Sequence, residues 1–388
     1  MDRKILAMIL AGIVSVLLIT GCSSPVEDQN VSNAGTSQEQ EIKAEEEISI
    51  LPSDARIAIA YTREEGDFTS SFIAKAQGNL VSAGVLEENI ESTGASAEEL
   101  TDIAAGMIGN GCSVLMVGNA DENNAPGITD AAVKADIPVV YFGTSPGEKE
   151  IARWEEKGWK AVYVGSLSDQ SAEKRADLIS GTDLEKIDLN NDGEIGMAVL
   201  YTGNDSAGDA VNRDTVSLLQ EREVPVYDLT QDSEEDAYEG TDRDSAAEQV
   251  SDWMSEYGAD LDLILCADDM QALGAWDAVS EGKKKVGHDV MIMGFDARID
   301  SLAQVAAGNI RSTSFNDFME QARNASDLVL AFLKGTWTGE ARIMINHVFV
   351  TVDNAQEILD IAEKTRESIP EPEVGGDETE DPENETEE

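Results

Sequence analysis

Eight short, almost uninterrupted apolar runs pace the middle of this chain, at residues 57–61, 114–117, 138–142, 162–164, 197–201, 224–227, 261–266 and 290–295. A half-exposed strand alternates apolar and polar residues, whereas continuous runs this short suit strands covered on both faces of a parallel sheet. Amphipathic stretches at 69–83, 97–110, 207–222, 245–257 and 317–333 separate them, which is the pattern of strand, crossover helix and strand. The succession breaks near Gly165 and then starts again. That predicts an α/β fold of two doubly wound, Rossmann-like parallel-sheet lobes, not one long sheet. A length of 388 residues with 41% hydrophobic content is enough for two cores.

The two ends read differently from the middle. Arg3 and Lys4 precede an apolar run from Ile5 to Ile19, which is shorter than the roughly 20 residues a spanning helix needs, and Ile19-Thr20-Gly21-Cys22 follows. Residues 1–22 are therefore expected to be a lipoprotein signal peptide ending in a lipobox. Cys22 would carry the lipid, and the mature chain would sit on the extracytoplasmic face of the cell membrane. Each buried methylene contributes about 0.8 kcal/mol, so two or three acyl chains anchor where one does not. Residues 23–53, rich in Ser, Gln and Glu, read as a disordered tether, and 368–388 as an acidic disordered tail. The chain carries 27 Lys and Arg against 78 Asp and Glu, a formal charge of −51, which excludes nucleic acid as a partner. Cys112 and Cys266 lie in apolar runs and read as buried thiols.

Between the first four runs and the last four lies Asp188-Leu189-Asn190-Asn191-Asp192-Gly193-Glu194-Ile195-Gly196. Three oxygen side chains two residues apart, followed by a glycine, match the ligand spacing of a calcium loop, with the Glu194 carbonyl next in order. An EF-hand would place a bidentate Glu at loop position twelve. That position is Val199, so a further carboxylate must come from elsewhere in the chain. An Asx-rich turn is the alternative reading.

Ligands of open parallel sheets bind beyond the carboxyl ends of the strands. The residues there are unusually polar: Glu64, Glu65, Asp67 and Phe68 after the first run, then Asn119, then Asp205, Asp209 and Arg213, then Asp268 and Asp269, then Asp296 and Asn316. Carboxylates, amides and a guanidinium fork suit vicinal hydroxyls, and an aromatic ring suits the C–H face of a sugar.

Over about residues 54–367 the chain resembles the type I solute-binding proteins of sugar ABC importers, most closely the galactose/glucose-binding branch. The motifs that carry the resemblance are the Asp188–Gly196 loop, Val139-Val140-Tyr141-Phe142, Tyr163-Val164-Gly165, Gly294-Phe295-Asp296 and Phe315-Asn316-Asp317. The resemblance implies lobes of 54–165 plus 317–349 and of 166–316 plus 350–367, joined by three crossovers near Gly165, Asn316 and Val350. It implies Phe68 as a stacking ring, and Asn119, Asp209, Arg213, Asp268, Asp296 and Asn316 as hydroxyl-binding positions. It further implies structural calcium on Asp188, Asn190, Asp192, Glu194 and Asp262, a monosaccharide ligand of galactose or glucose type, a partner ABC permease with its ATPase, and a monomer. Departures from the family pattern fall at Gly66 for an acid, Ala207 for a histidine, Thr241 for a second stacking tryptophan, Asp268 for an asparagine, Gly196 for a side-chain calcium ligand and Asp262 for a longer glutamate. Tyr238 is a substitute for the missing ring.

Two rival functions follow from the residues. The same lobes could present sugar to a histidine kinase or chemoreceptor. Gly143-Thr144-Ser145-Pro146-Gly147 spells a nucleophile elbow, with His288 and His347 downstream, but Pro146 removes the N–H that an oxyanion hole needs there. The chain is accordingly not expected to be an enzyme.

Overall fold

The first four apolar runs become the parallel strands of one sheet. In the computed structural model, which describes residues 49–63, 68–203, 206–230, 240–282 and 290–367, the chain begins β1 (Ile57–Thr62), α1 (Phe68–Ser82), β2 (Ile90–Ala95), α2 (Leu100–Gly109) and β3 (Val114–Gly118). It continues through α3 (Ala125–Lys134), β4 (Val139–Phe142), α4 (Glu148–Lys157) and β5 (Ala161–Leu167). β1 is parallel to both β2 and β3, with Ile57 opposite Ile90 and Val114. β2 was absent from the apolar runs because it is an edge strand: Ile90-Glu91-Ser92-Thr93-Gly94-Ala95 is mostly open to solvent.

The second half repeats the scheme with α5 (Asp169–Ser180), β6 (Ile195–Leu200), α6 (Ala207–Glu221), β7 (Val226–Asp228), α7 (Arg243–Glu256) and β8 (Leu263–Cys266). After these come α8 (Asp269–Glu281), β9 (Met291–Met293), α9 (Ile299–Ala306) and β10 (Thr313–Phe315). The order β7-β6-β8-β9 is all parallel, and bridges from Met293 to Ser312 and from Asp296 to Phe315 carry the pairing on toward β10. Two runs shift in register. The 224–227 run pairs only from Val226, since Pro225 has no N–H to donate. The 290–295 run stops as β9 at Met293, because the Gly294 and Asp296 N–H groups turn to the carbonyls of Ser312 and Ser314.

The chain then returns. α10 (Phe318–Lys334) is capped by Asp317, whose carboxylate accepts from the Met319 and Glu320 N–H groups, and it ends at Gly335 in the left-handed region that glycine tolerates. It packs on α1, β4 and β5, so the first lobe recovers a segment from late in the sequence. β11 (Arg342–Asn346) joins β5 at the edge of the first sheet, giving the order β11-β5-β4-β3-β1-β2. β12 (Val348–Val350) pairs antiparallel with β10, and α11 (Ala355–Glu367) packs on α9. The chain leaves the first sheet at His347, just before Val350, because Val348 and Phe349 are already paired opposite Phe315 and Ser314. The other two crossings run from Leu167 to Asp169 and from Phe315 to Phe318.

Cys112 and Cys266 are buried and unbridged. Trp154 and Trp253 are packed into the cores, Trp154 stacking on Tyr141 at 5.0 Å. The lipobox with Cys22, the Gly66 and Tyr238 positions, Asp205, His288 and the acidic tail all lie outside the described residues.

Candidate functional site

The carboxyl ends of both sheets hold the described polar residues singled out in the sequence; Glu64, Glu65, Asp67 and Asp205 lie outside the described residues. In the first sheet, Asn119 follows β3 with a φ of 55°, a conformation that Asn tolerates better than most residues. It is 6% exposed, and its amide is fully engaged: Nδ2 donates to the Thr62 carbonyl at 3.2 Å and to Thr69 Oγ1 at 3.0 Å, while Oδ1 accepts from the Thr144 N–H at 3.3 Å. Asn119 thus ties β1, α1 and the turn after β4 to β3. Phe68 opens α1, half-buried, 6.1 Å from the Phe72 ring. The Asn119 network itself contains no charged group.

The second sheet brings charges together. Its register sets Leu200 opposite Cys266 and Leu265 opposite Met293, so Thr202 and Asp268, two residues past the ends of β6 and β8, and Asp296, three past the end of β9, succeed one another across the sheet. Asp209 is 1% exposed and is the N3 residue of a capping box with Ser206. Its oxygens accept from the Thr202 N–H at 2.7 Å, the Thr202 hydroxyl at 2.6 Å and the Ser206 N–H at 3.2 Å, so its first role is to fix the turn between β6 and α6. Arg213, one turn further along α6, is exposed. Asp268 caps α8 by accepting from the Gln271 N–H at 2.8 Å, and burial raises its carboxyl above the usual range. Asp296 has a φ of 95° and keeps a solvent-open edge. The surrounding protein desolvates it and Asp268 repels it, pushing its carboxyl up to about 7. Asn316 sits at the crossing into α10 and accepts from Gln321 Nε2 at 2.6 Å.

Beneath this row lies a pair that the sequence reading did not assign. Arg175 of α5 is fully buried and donates to Asn212 Oδ1 at 2.5 Å, to the Cys266 carbonyl at 3.1 Å and to the Gly294 carbonyl. Asp269, also fully buried, accepts from Thr313 Oγ1 and from the Arg298 N–H, both at 2.8 Å. Burial, then the charge of Asp296, pushes its carboxyl up to about 8. The signal for Arg175 was legible: it shares the helical stripe Ala172, Ala176 and Ile179, where a charged residue is expensive unless partnered.

At the opposite, amino end of β6, the Asp188–Gly196 loop folds as a hydrogen-bonded turn. Asp188 Oδ1 accepts from the Asp192 N–H at 3.2 Å and Oδ2 from the Gly193 N–H at 2.9 Å. Asp192 accepts from the Glu194 N–H at 2.9 Å, and Asn190 donates to Asp192 and to Asp260, both at 2.8 Å. Asp262 reaches the loop as the resemblance implied, but its two oxygens accept from the Leu189 N–H at 2.9 Å and the Gly196 N–H at 2.8 Å. Burial raises its carboxyl, as do the charges of Asp188 and Asp192. A side chain at position 196 would overlap the Asp260 carbonyl oxygen. Among the described residues no group of three or more His, Cys, Asp or Glu side chains is arranged to hold a metal. The donor chemistry suits calcium, but the arrangement does not fit it.

The serine of the elbow motif accepts from the Gly147 N–H at 3.2 Å. His347 rests 5.3 Å from the Phe295 ring, with neither ring nitrogen partnered among the described residues, and burial pushes its imidazole down to about 4. It is not a poised base.

Residues 57–336 match a family described as the periplasmic binding protein domain. The chain is 29% identical over 267 residues to the D-galactose/methyl-galactoside binding periplasmic protein MglB of Haemophilus influenzae, covering 65% of this chain and 76% of that protein. Among solved structures, the periplasmic ribose ABC transporter protein of Conexibacter woesei superposes with a TM-score of 0.64 at 18% identity, covering 82% of this chain and 98% of that one. An ABC transporter periplasmic solute-binding protein of Actinobacillus succinogenes with bound D-allose gives 0.61 at 16% identity, covering 78% and 99%. Each of these is described as a binding or an ABC transporter protein, and none as an enzyme.

Proposed function

This chain belongs to the periplasmic binding protein family, and we propose that it captures a monosaccharide of galactose or glucose type between its lobes and delivers it to an ABC permease driven by its ATPase. The observation that carries this reading is the row of polar groups at the carboxyl ends of the second sheet, in a chain that matches MglB over 267 residues. Asp268 and Asp296 accept from hydroxyls, Arg213 and Asn316 donate, and Phe68 on the first lobe offers a ring to the sugar's C–H face. Asn119 and Asp209 support the site from behind: each holds the backbone from which a ligand-facing residue projects. Closure of the lobes would desolvate these groups around the ligand and so strengthen every hydrogen bond to it. Cys22, lipidated, keeps the monomeric protein on the extracytoplasmic face of the membrane.

A second reading of the ligand is favoured by one observation. Asp268 and Asp296 follow neighbouring strands and each carries a carboxyl raised above its usual range, which a ligand ammonium group would relieve. Thermal-shift titration of the chain against neutral hexoses, pentoses and amino sugars tests both. A shift with one neutral sugar that is lost in Arg213→Ala supports the first reading, and a shift confined to amino sugars supports the second. No shift with any of them would sink the sugar reading.

A further inference from the structure

The loop between α5 and β6 has the spelling of a cation site and the bonding of something else. Five backbone N–H groups, those of Leu189, Asp192, Gly193, Glu194 and Gly196, point at the carboxylates of Asp188, Asp192 and Asp262. Converging N–H groups supply fixed partial positive charge, which is the service a bound cation would render to crowded carboxylates. Two of these bonds cross between strands. Asp262 precedes β8, so its bonds to Leu189 and Gly196 span 73 and 66 residues of sequence and fasten the loop to the sheet. Asn190 adds a third crossing through its bond to Asp260, 70 residues away.

Position 196 completes the arrangement. Gly196 pairs with Asp262, its carbonyl accepting from the Asp262 N–H at 2.9 Å, and any Cβ there would collide with the Asp260 carbonyl. The two backbones therefore close over the place a side-chain ligand would need. Asp262, short enough to end at the N–H groups, seals the same space from the other strand. We infer that residues 188–196 form a metal-independent clip, in which Asp262 and the loop's own N–H groups fasten the start of β6 to β8 without calcium. The inference concerns the end of the sheet remote from the ligand row and stands or falls apart from the sugar reading.

Thermal melting of the full chain in millimolar calcium chloride and in excess EDTA tests it, together with calorimetric titration of calcium into metal-stripped protein. Coincident melting temperatures and no saturable heat are expected. A rise of several degrees with calcium, or a one-to-one saturable heat, would overturn the inference. The Asp262→Asn variant gives the second arm: its amide cannot accept from both N–H groups, so its melting temperature should drop equally in calcium and in EDTA. A drop seen only with calcium, or no drop at all, counts against the clip. If that variant does not fold, the titration of the unaltered chain still decides.

Discussion

At the carboxyl ends of the first sheet Asn119 ties its neighbours together through neutral hydrogen bonds, whereas at the same level of the second sheet the groups are charged and compensated from below. Asn119 bonds to Thr62, Thr69 and Thr144 without a formal charge in the set. The other lobe stacks Asp268 and Asp296 above Asp269, with Arg175 as the buried cation that all three strand ends share through the Cys266 and Gly294 carbonyls and Asn212. The difference teaches that one lobe positions its part of the site by amide geometry and the other by an electrostatic balance. The second kind is sensitive to substitution and to pH, because an uncompensated charge in low dielectric costs more than a lost neutral hydrogen bond.

The sharpest way to break this contrast is Arg175→Met. Removing the guanidinium leaves the fully buried Asp269 without a buried cation and orphans the Cys266 and Gly294 carbonyls, so chemical denaturation should show a loss of about 3–5 kcal/mol, with Arg175→Lys failing to restore it. A loss below about 1 kcal/mol would mean the balance is not what holds this lobe. Next comes pH. His347 lies at the crossing between the sheets, and its imidazole is held down at about 4 from an ordinary 6.5. The unfolded chain binds that proton first, so stability is full above pH 6.5 and falls as pH drops toward 4, by up to roughly 3 kcal/mol. His347→Leu should flatten that limb of the melting curve, and an unchanged limb would assign it to other groups.

Arg213→Ala sharpens the comparison on the ligand side. The residue is exposed, so melting should hardly move, while affinity for the sugar found in the titration drops by about 1.5–3 kcal/mol, read by calorimetry. Asn119→Ala should instead cost stability, about 2 kcal/mol by urea unfolding, because the Thr62 carbonyl and the Thr144 N–H lose their partner. Equal effects of the two variants on binding and on folding would erase the distinction between a facing residue and a supporting one. The smallest effect is expected at the exposed pair Arg342–Glu148, which joins β11 to α4 at 2.9 Å, where Arg342→Ala should cost less than about 1 kcal/mol.

Much of the architecture was legible from local pattern. The continuous runs match β1, β3 and β4 to within a residue at each end and overlap β5, β6 and β8, because a strand covered on both faces has no polar side to break the run. β2 escaped because an edge strand needs no such continuity. Of the site, the polar residues after the strands were visible, but their duties were not. Asp209 and Asn119 read as hydroxyl-binding positions, and their oxygens and amides also hold turns, a duty that no local pattern announces.

Sequence alone determined the two doubly wound α/β lobes, the acidic surplus, and the placement of polar groups at the strand ends, since each follows from composition or from spacing along the chain. Only the tertiary structure decided which of those groups face outward and which are consumed, where the chain crosses back at His347, and that Asp262 closes on two N–H groups 66 and 73 residues away. Hydrogen-bond satisfaction is a property of who meets whom across the sheet, and such meetings are fixed by packing between segments far apart in sequence.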